Sequence, residues 1–137
     1  MPELPEVETI KNQISQFLPL VIDSVSYSDV IDSILKKDSV DFDPSTMTID
    51  KMDRHGKALI FQLNDSKGEN FFIISHLGMT GNWRISSAPL SQEKHIHLTF
   101  HSHGKYLSYV DPRRFGKIHF LRKARAKKYL EKIGIDV

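Results

Sequence analysis

Apolar residues recur at helical spacing only at the start of this chain. Val7, Ile10, Ile14 and Phe17 fall on one stripe, Pro5 suits a first turn, and Glu6 and Glu8 favour the positive pole there. The spacing predicts a helix over 4–18. At about 100° per residue, Glu6 lies near the edge of the stripe rather than opposite it, an unusual place for a carboxylate that is neither paired nor used. After Leu20 the pattern changes to strands. Val21–Tyr27 is a predicted strand and Ile31–Leu35 a shorter one. Met47, Ile49, Leu59, Phe61 and Leu63 alternate around His55-Gly56, which fits a two-residue hairpin turn. Phe71–Leu77 is a largely apolar run suited to a strand buried on both faces. Trp83–Ser86 continues the sheet, His95–Phe100 and Lys105–Val110 flank a His-Ser-His-Gly turn, and Lys117–Leu121 is the last strand. Ala124–Ile133 reads as a short basic helix. About eight strands after one long helix predict a mainly β (α+β) domain, a two-layer antiparallel β-sandwich with an N-terminal and a short C-terminal helix.

The chain's 137 residues suffice for one domain with a core and are short for two. Hydrophobic and charged fractions of 39% and 26% are those of an ordinary soluble protein. No cysteine is present, which excludes disulfides and Cys-based zinc sites and is compatible with a reducing cytoplasm. No run is apolar enough to span a membrane, and Pro and Glu stand where a secretory signal would be basic. The net charge of +2 is unevenly spread: ten Lys/Arg face three Asp/Glu from His101 onward, against nine and fourteen before it. A basic C-terminal third suits an anionic partner such as nucleic acid, or else a solvated tail, since Arg122–Lys128 alone supplies five of the cations. His95 and His97, like His101 and His103, are spaced to share a strand face, but no acidic or Cys partner has metal-ligand spacing, so no metal is expected.

The amino terminus carries the most reactive candidate. If Met1 is removed, Pro2 becomes a free secondary amine, with a pKa near ~8 and thus roughly a tenth neutral at pH 7. Its attack on a sugar's anomeric carbon gives an iminium that is cationic without protonation, an electron sink that eases elimination at neighbouring bonds. The chemistry needs a carboxylic acid nearby, and Glu3 is adjacent. On these residues alone, a plain terminus with Glu6 and Glu8 as helix-start residues is the competing reading.

Five motifs decide between them. Pro2-Glu3-Leu4-Pro5-Glu6-Val7-Glu8-Thr9, Arg54-His55-Gly56-Lys57, His76-Leu77-Gly78-Met79-Thr80-Gly81, Lys94-His95-Ile96-His97 and Asp111-Pro112-Arg113-Arg114-Phe115-Gly116 occur in that order. Together they resemble the formamidopyrimidine-DNA glycosylase family; only the second departs, with His55 where the family usually carries Arg. The resemblance implies glycosylase and apurinic/apyrimidinic lyase activity on oxidised purines, 8-oxoguanine and formamidopyrimidines, ending in β,δ-elimination. It implies Pro2 as nucleophile at C1′, Glu3 as the acid on the deoxyribose ring, Glu6 in proton transfer and Lys57 near the phosphate and reaction centre. His76, His95 and Arg114 would hold the backbone around an extruded nucleotide, with His97 on the same DNA-facing strand. Met79, Arg113 and Phe115 would enter the duplex. Residues 1–137 are expected to form a single N-terminal catalytic domain, without the family's helix–two-turn–helix and zinc-finger domains. The chain would thus carry no cofactor, the usual zinc site being absent. The expected partner is double-stranded DNA with an oxidised purine or abasic site, where a second polypeptide could complete the clamp. The expected location is the cytoplasm, at the nucleoid. The alternative is a catalytically weak or inactive DNA-damage-binding module.

Overall fold

The computed structural model describes residues 4–38, 43–90, 94–112 and 117–135. The first helix, α1 (Leu4–Ser15), buries Val7 and Ile14 completely, with Ile10 packed beside them. It ends three residues earlier than its stripe suggests. The Phe17 and Leu18 amides turn back onto the Ile14 and Ser15 carbonyls (3.0 and 3.2 Å), and Pro19 follows with no N–H to continue a helix. Phe17 therefore leaves the core: it is 36% exposed, and Lys105 Nζ lies 4.9 Å from its ring centroid.

Two antiparallel sheets form the predicted sandwich, with nine strands among the described residues rather than eight. One sheet runs in the order β1 (Leu20–Val21), β3 (Thr48–His55), β4 (Ala58–Asn64), β5 (Asn70–His76), β9 (Lys117–Arg122). The other runs β2 (Ser24–Tyr27), β7 (Ile96–Ser102), β8 (Lys105–Val110), β6 (Asn82–Ser86). The extra strand arises because Val21–Tyr27 is a sandwich corner. Leu20 and Val21 pair with Ile49 and Thr48, whereas Ser24–Tyr27 pairs with Leu98–His101 in the opposite sheet. In the crossing, the Ile22 and Asp23 amides donate to Met47 and His101 carbonyls, one in each direction.

Ile31–Leu35 is not a strand but part of a second helix, α2 (Asp29–Lys37). Its apolar residues, Ile31, Ile34 and Leu35, follow i, i+3, i+4 spacing toward the core. Asp29 and Asp32 in the first turn and Lys36 and Lys37 in the last complement the helix dipole, and Lys36 pairs with Asp32 at 3.1 Å. These local terms outweigh the β preference of its branched residues.

Between the sheets, Trp83 lies 4.7 Å from Phe61 and stacks 6.5 Å from Phe100, while its indole N–H donates to Ser75 Oγ at 3.0 Å. β5 is buried on both faces, as its run of apolar residues predicts. Phe71 and Ile73 face the sandwich, and Phe72 and Ile74 face a third helix, α3 (Lys123–Lys132), against Ala126 and Leu130. The basic C-terminal stretch is thus no loose tail; its apolar face is docked and its lysines point outward. No helix of the described residues is long and apolar enough to cross a membrane.

Candidate functional site

The β3–β4 hairpin is one residue out of its predicted register. His55 pairs with Ala58, so the two turn residues are Gly56-Lys57 rather than His55-Gly56. Gly56 takes φ +59° in the first central position, where a type II′ turn demands glycine. Lys57 therefore sits at the tip of the hairpin. Arg54 ties this tip to the first helix: its Nε donates to Glu8 Oε2 at 2.5 Å, and its Nη1 to the Gly56 carbonyl at 2.9 Å. The Arg54 hydrogen bond holds the Glu8 carboxyl below its usual range, with Lys11 adding to the effect.

Between β5 and β6 the chain makes a tight loop anchored by fully buried Leu77. The Gly81 amide closes on the Leu77 carbonyl at 2.9 Å, and Gly78 turns the chain at φ +63°. The side chain in between, Met79, is pushed outward and is 48% exposed. It forms a ridge between two clefts. One, of about 580 Å³, is lined by Glu6, Thr9, Ile10, Thr80, Asn82 and Pro112 besides Met79. The other, of about 650 Å³, is lined by Lys57, His76, Gly78, Ile133 and Ile135 with the same methionine.

The residues 1–118 match the description "Formamidopyrimidine-DNA glycosylase N-terminal domain". The chain belongs to the formamidopyrimidine-DNA glycosylase family. The formamidopyrimidine-DNA glycosylase of Rickettsia conorii is 36% identical over 147 residues, covering 99% of this chain and 50% of the relative. That of Oceanobacillus iheyensis is 36% identical over 125 residues, covering 87% and 42%. Among solved structures, Lactococcus lactis Fpg in complex with abasic-site DNA superposes with a TM-score of 0.78 at 30% identity, covering 95% of this chain and 47% of that one. MutM in complex with DNA containing carbocyclic 8-oxo-G gives 0.75 at 29%, covering 96% and 49%. The chain spans about half the length of the curated relatives it matches.

Against the family's motifs, the fold gathers Glu6 and Met79 on one cleft and Lys57, His76 and Met79 on the other. Glu6 is exposed on the first turn of α1, so its place beside the apolar stripe serves the cleft and not the core. His76, at the end of β5, has its Nε2 2.7 Å from the Tyr129 hydroxyl of α3. Burial, then the neighbouring His119 and Lys117, push the His76 imidazole below its usual pKa. His95 is exposed just before β7 and adopts φ +68°, a left-handed conformation that few non-glycine residues occupy. Its expected companion His97 does not face outward; it is buried, with Nδ1 3.2 Å from Ser28 Oγ and Nε2 3.1 Å from the Asp111 carbonyl. Pro2, Glu3, Arg113, Arg114 and Phe115 lie outside the described residues.

Three participants have no counterpart in the sequence-level reading: the Glu8–Arg54 tie, Tyr129 behind His76, and the Asp111 carboxyl. Arg54 and Asp111 stand inside the quoted motifs, which was the available signal; Tyr129 had none. The zinc that full-length relatives are expected to carry does not fit the residues here. The sequence has no cysteine, and among the described residues no three His, Asp or Glu side chains gather as a metal site.

Proposed function

We propose that this chain carries the catalytic machinery of a base-excision DNA glycosylase and abasic-site lyase acting on oxidised purines. The observation that supports this most directly is the exposed Met79 ridge, with a carboxylate cleft on one side and a cation–histidine cleft on the other. An enzyme that works on a base must take it out of the stack, at a cost of a few kcal/mol. An apolar side chain inserted into the vacancy offsets part of that cost. Met79 fits such a wedge because its loop holds it away from any core it could fill. Arg113 and Phe115 are assigned to the same insertion on the strength of their motif. Lys57, His76, His95 and Arg114 then hold phosphates on either side of the extruded nucleotide.

In this reading the neutral Pro2 amine attacks C1′ and the damaged base departs. Glu3 protonates the ring oxygen as the C1′–O4′ bond opens, leaving an iminium between Pro2 and C1′. Loss of a proton from C2′ expels the 3′ phosphate, and loss of one from C4′ expels the 5′ phosphate, with Glu6 moving protons at the cleft. Water then releases Pro2.

Borohydride trapping tests this on duplexes carrying an abasic site or 8-oxoguanine opposite cytosine. Protein shown by mass to lack Met1 should form a covalent adduct with both duplexes. Pro2→Gly should abolish it, and Glu3→Gln should lower it steeply. Adducts on abasic DNA alone would restrict the activity to the lyase step. No adduct from correctly processed protein that nevertheless binds the duplex would refute the enzyme and leave a DNA-binding module.

A further inference from the structure

Asp111 directly follows β8, between Val110 and Pro112, and it is 1% exposed. Each of its four polar atoms meets a different group. The amide donates to the His95 carbonyl at 3.1 Å. The carbonyl accepts from His97 Nε2 at 3.1 Å, and Nδ1 of the same ring lies 3.2 Å from Ser28 Oγ. Oδ1 accepts from Thr80 Oγ1 at 2.5 Å, and Oδ2 accepts from the Tyr109 hydroxyl at 2.8 Å. Two oxygens that both accept are the pattern of a carboxylate, and a buried carboxylate persists only where donors replace its water. Burial, reinforced by this carboxylate, raises the Tyr109 hydroxyl far above its usual range, so it remains a donor.

Thr80 follows Met79 directly. The Gly81–Leu77 hydrogen bond closes the loop on itself, whereas the Thr80–Asp111 bond carries it across to the end of β8. From there the Asp111 main chain continues the connection to His95 and His97 at the start of β7. We infer that Asp111 is a positioning residue that locks the Met79 loop to the His95–His97 strand, so that wedge and backbone-contact histidine meet DNA as one rigid unit. The DNA consequence rests on the glycosylase reading above; the lock itself does not.

Hydrogen exchange read by mass spectrometry on the 137-residue chain separates the two. Thr80→Val keeps the shape and removes the donor; Thr80→Ser keeps the donor. A bond to a charged group is strong enough that its loss should quicken exchange about tenfold or more. The expected result is acceleration in Thr80→Val at both 77–82 and 95–98, unchanged exchange in β4 and β5, and recovery in Thr80→Ser. Tyr109→Phe, which removes the donor to Oδ2, should accelerate the same two segments. Acceleration confined to 77–82, none at all, or a uniform rise through β4 and β5 would overturn the lock, because Asp111 would then serve only local or global stability. The second arm uses a duplex with a reduced abasic site beside 2-aminopurine. Wild type and Thr80→Ser should raise its fluorescence, and Thr80→Val should do so several-fold more slowly. Silence from the wild type would refute DNA insertion while leaving the exchange result to decide the role of Asp111.

Discussion

Gly81→Ala is the substitution that most directly tests the Met79 ridge. A methyl group at this position would lie 2.4 Å from the Leu77 carbonyl oxygen and 3.1 Å from Leu77 C and Cα. The oxygen contact is about 1 Å inside the ~3.5 Å at which non-bonded heavy atoms sit best. All three atoms belong to the backbone, so no rotamer change relieves the clash. The loop must open, and the 2.9 Å bond from the Gly81 amide to that same carbonyl stretches or breaks. Overpacking of this kind costs about 1–3 kcal/mol and the lost hydrogen bond about 1 more. For a chain of this size that amounts to a fall in Tm of roughly 6–16 °C, at about 3–4 °C per kcal/mol. Thermal melting by circular dichroism gives the stability, and fluorescence titration with an abasic duplex gives the binding. Gly56→Ala is the control: its methyl meets nothing within 4 Å, so only the backbone strain of φ +59° remains, about 1–2 kcal/mol. A Gly81→Ala protein as stable as wild type would refute the close approach of the loop to Leu77. A destabilised one with full DNA affinity would refute the role assigned to the loop.

Three further outcomes follow from the same geometry. Because the folded His76 imidazole titrates below its ordinary value of 6.5, the fold disfavours its proton; stability should be full above that pH and decline as pH falls below it. In the proposed glycosylase a DNA phosphate at His76 would reverse the preference, so binding should take up a proton, and His76→Gln should flatten both dependences in melting curves and in titrations at two pH values. Ile31→Ala should cost about 2–4 kcal/mol in urea unfolding, since Ile31 is completely buried on the core-facing side of α2, whereas Ser33→Ala on the helix's exposed face should stay within about 0.5 kcal/mol. Arg54→Met should leave melting nearly unchanged, as ion pairs that solvent still reaches contribute little, yet lower borohydride trapping several-fold by freeing the Lys57 hairpin from α1. What small stability difference exists should vanish as pH falls below 4.5, because the Glu8 carboxyl is held lower than that in the fold and gains its partner only when ionised.

Much of this fold is legible in the chain because local and tertiary preferences agree. The period-two strands, the doubly buried β5 and the amphipathic α1 each carry a pattern that their environment satisfies. The errors lie where one pattern serves two readings. Ile31-Asp32-Ser33-Ile34-Leu35 contains branched residues that suit a strand, but its charges are placed at helix ends and its apolar residues at helix spacing. Val21–Tyr27 is extended throughout most of its length, and hydrophobicity does not mark the point where it leaves one sheet for the other. Phe17 continues the stripe of α1 on a helical wheel, yet the helix has already ended.

The site divides differently. Its candidate side chains were visible one by one, since each belongs to a motif, but the contacts that hold them join positions far apart in the chain: Glu8 to Arg54, Thr80 to Asp111, His76 to Tyr129. No periodicity reports such pairs. His97 shows why face assignment also failed. Two residues apart on a regular strand, His95 and His97 would share a face. The pairing of β7 with β8 instead shifts register between Ile96 and Leu98, and His97 and Leu98 are buried in succession. A bulge adds one residue to a strand and re-aims the side chains on either side of it. Here it leaves His95 exposed at a left-handed φ and brings His97 onto the Asp111 carbonyl. The irregularity that defeats the parity argument is therefore the same one that gives Asp111 its hold on this strand. A variant that restores regular pairing at 96–98 should lose that hold even with every polar side chain still present.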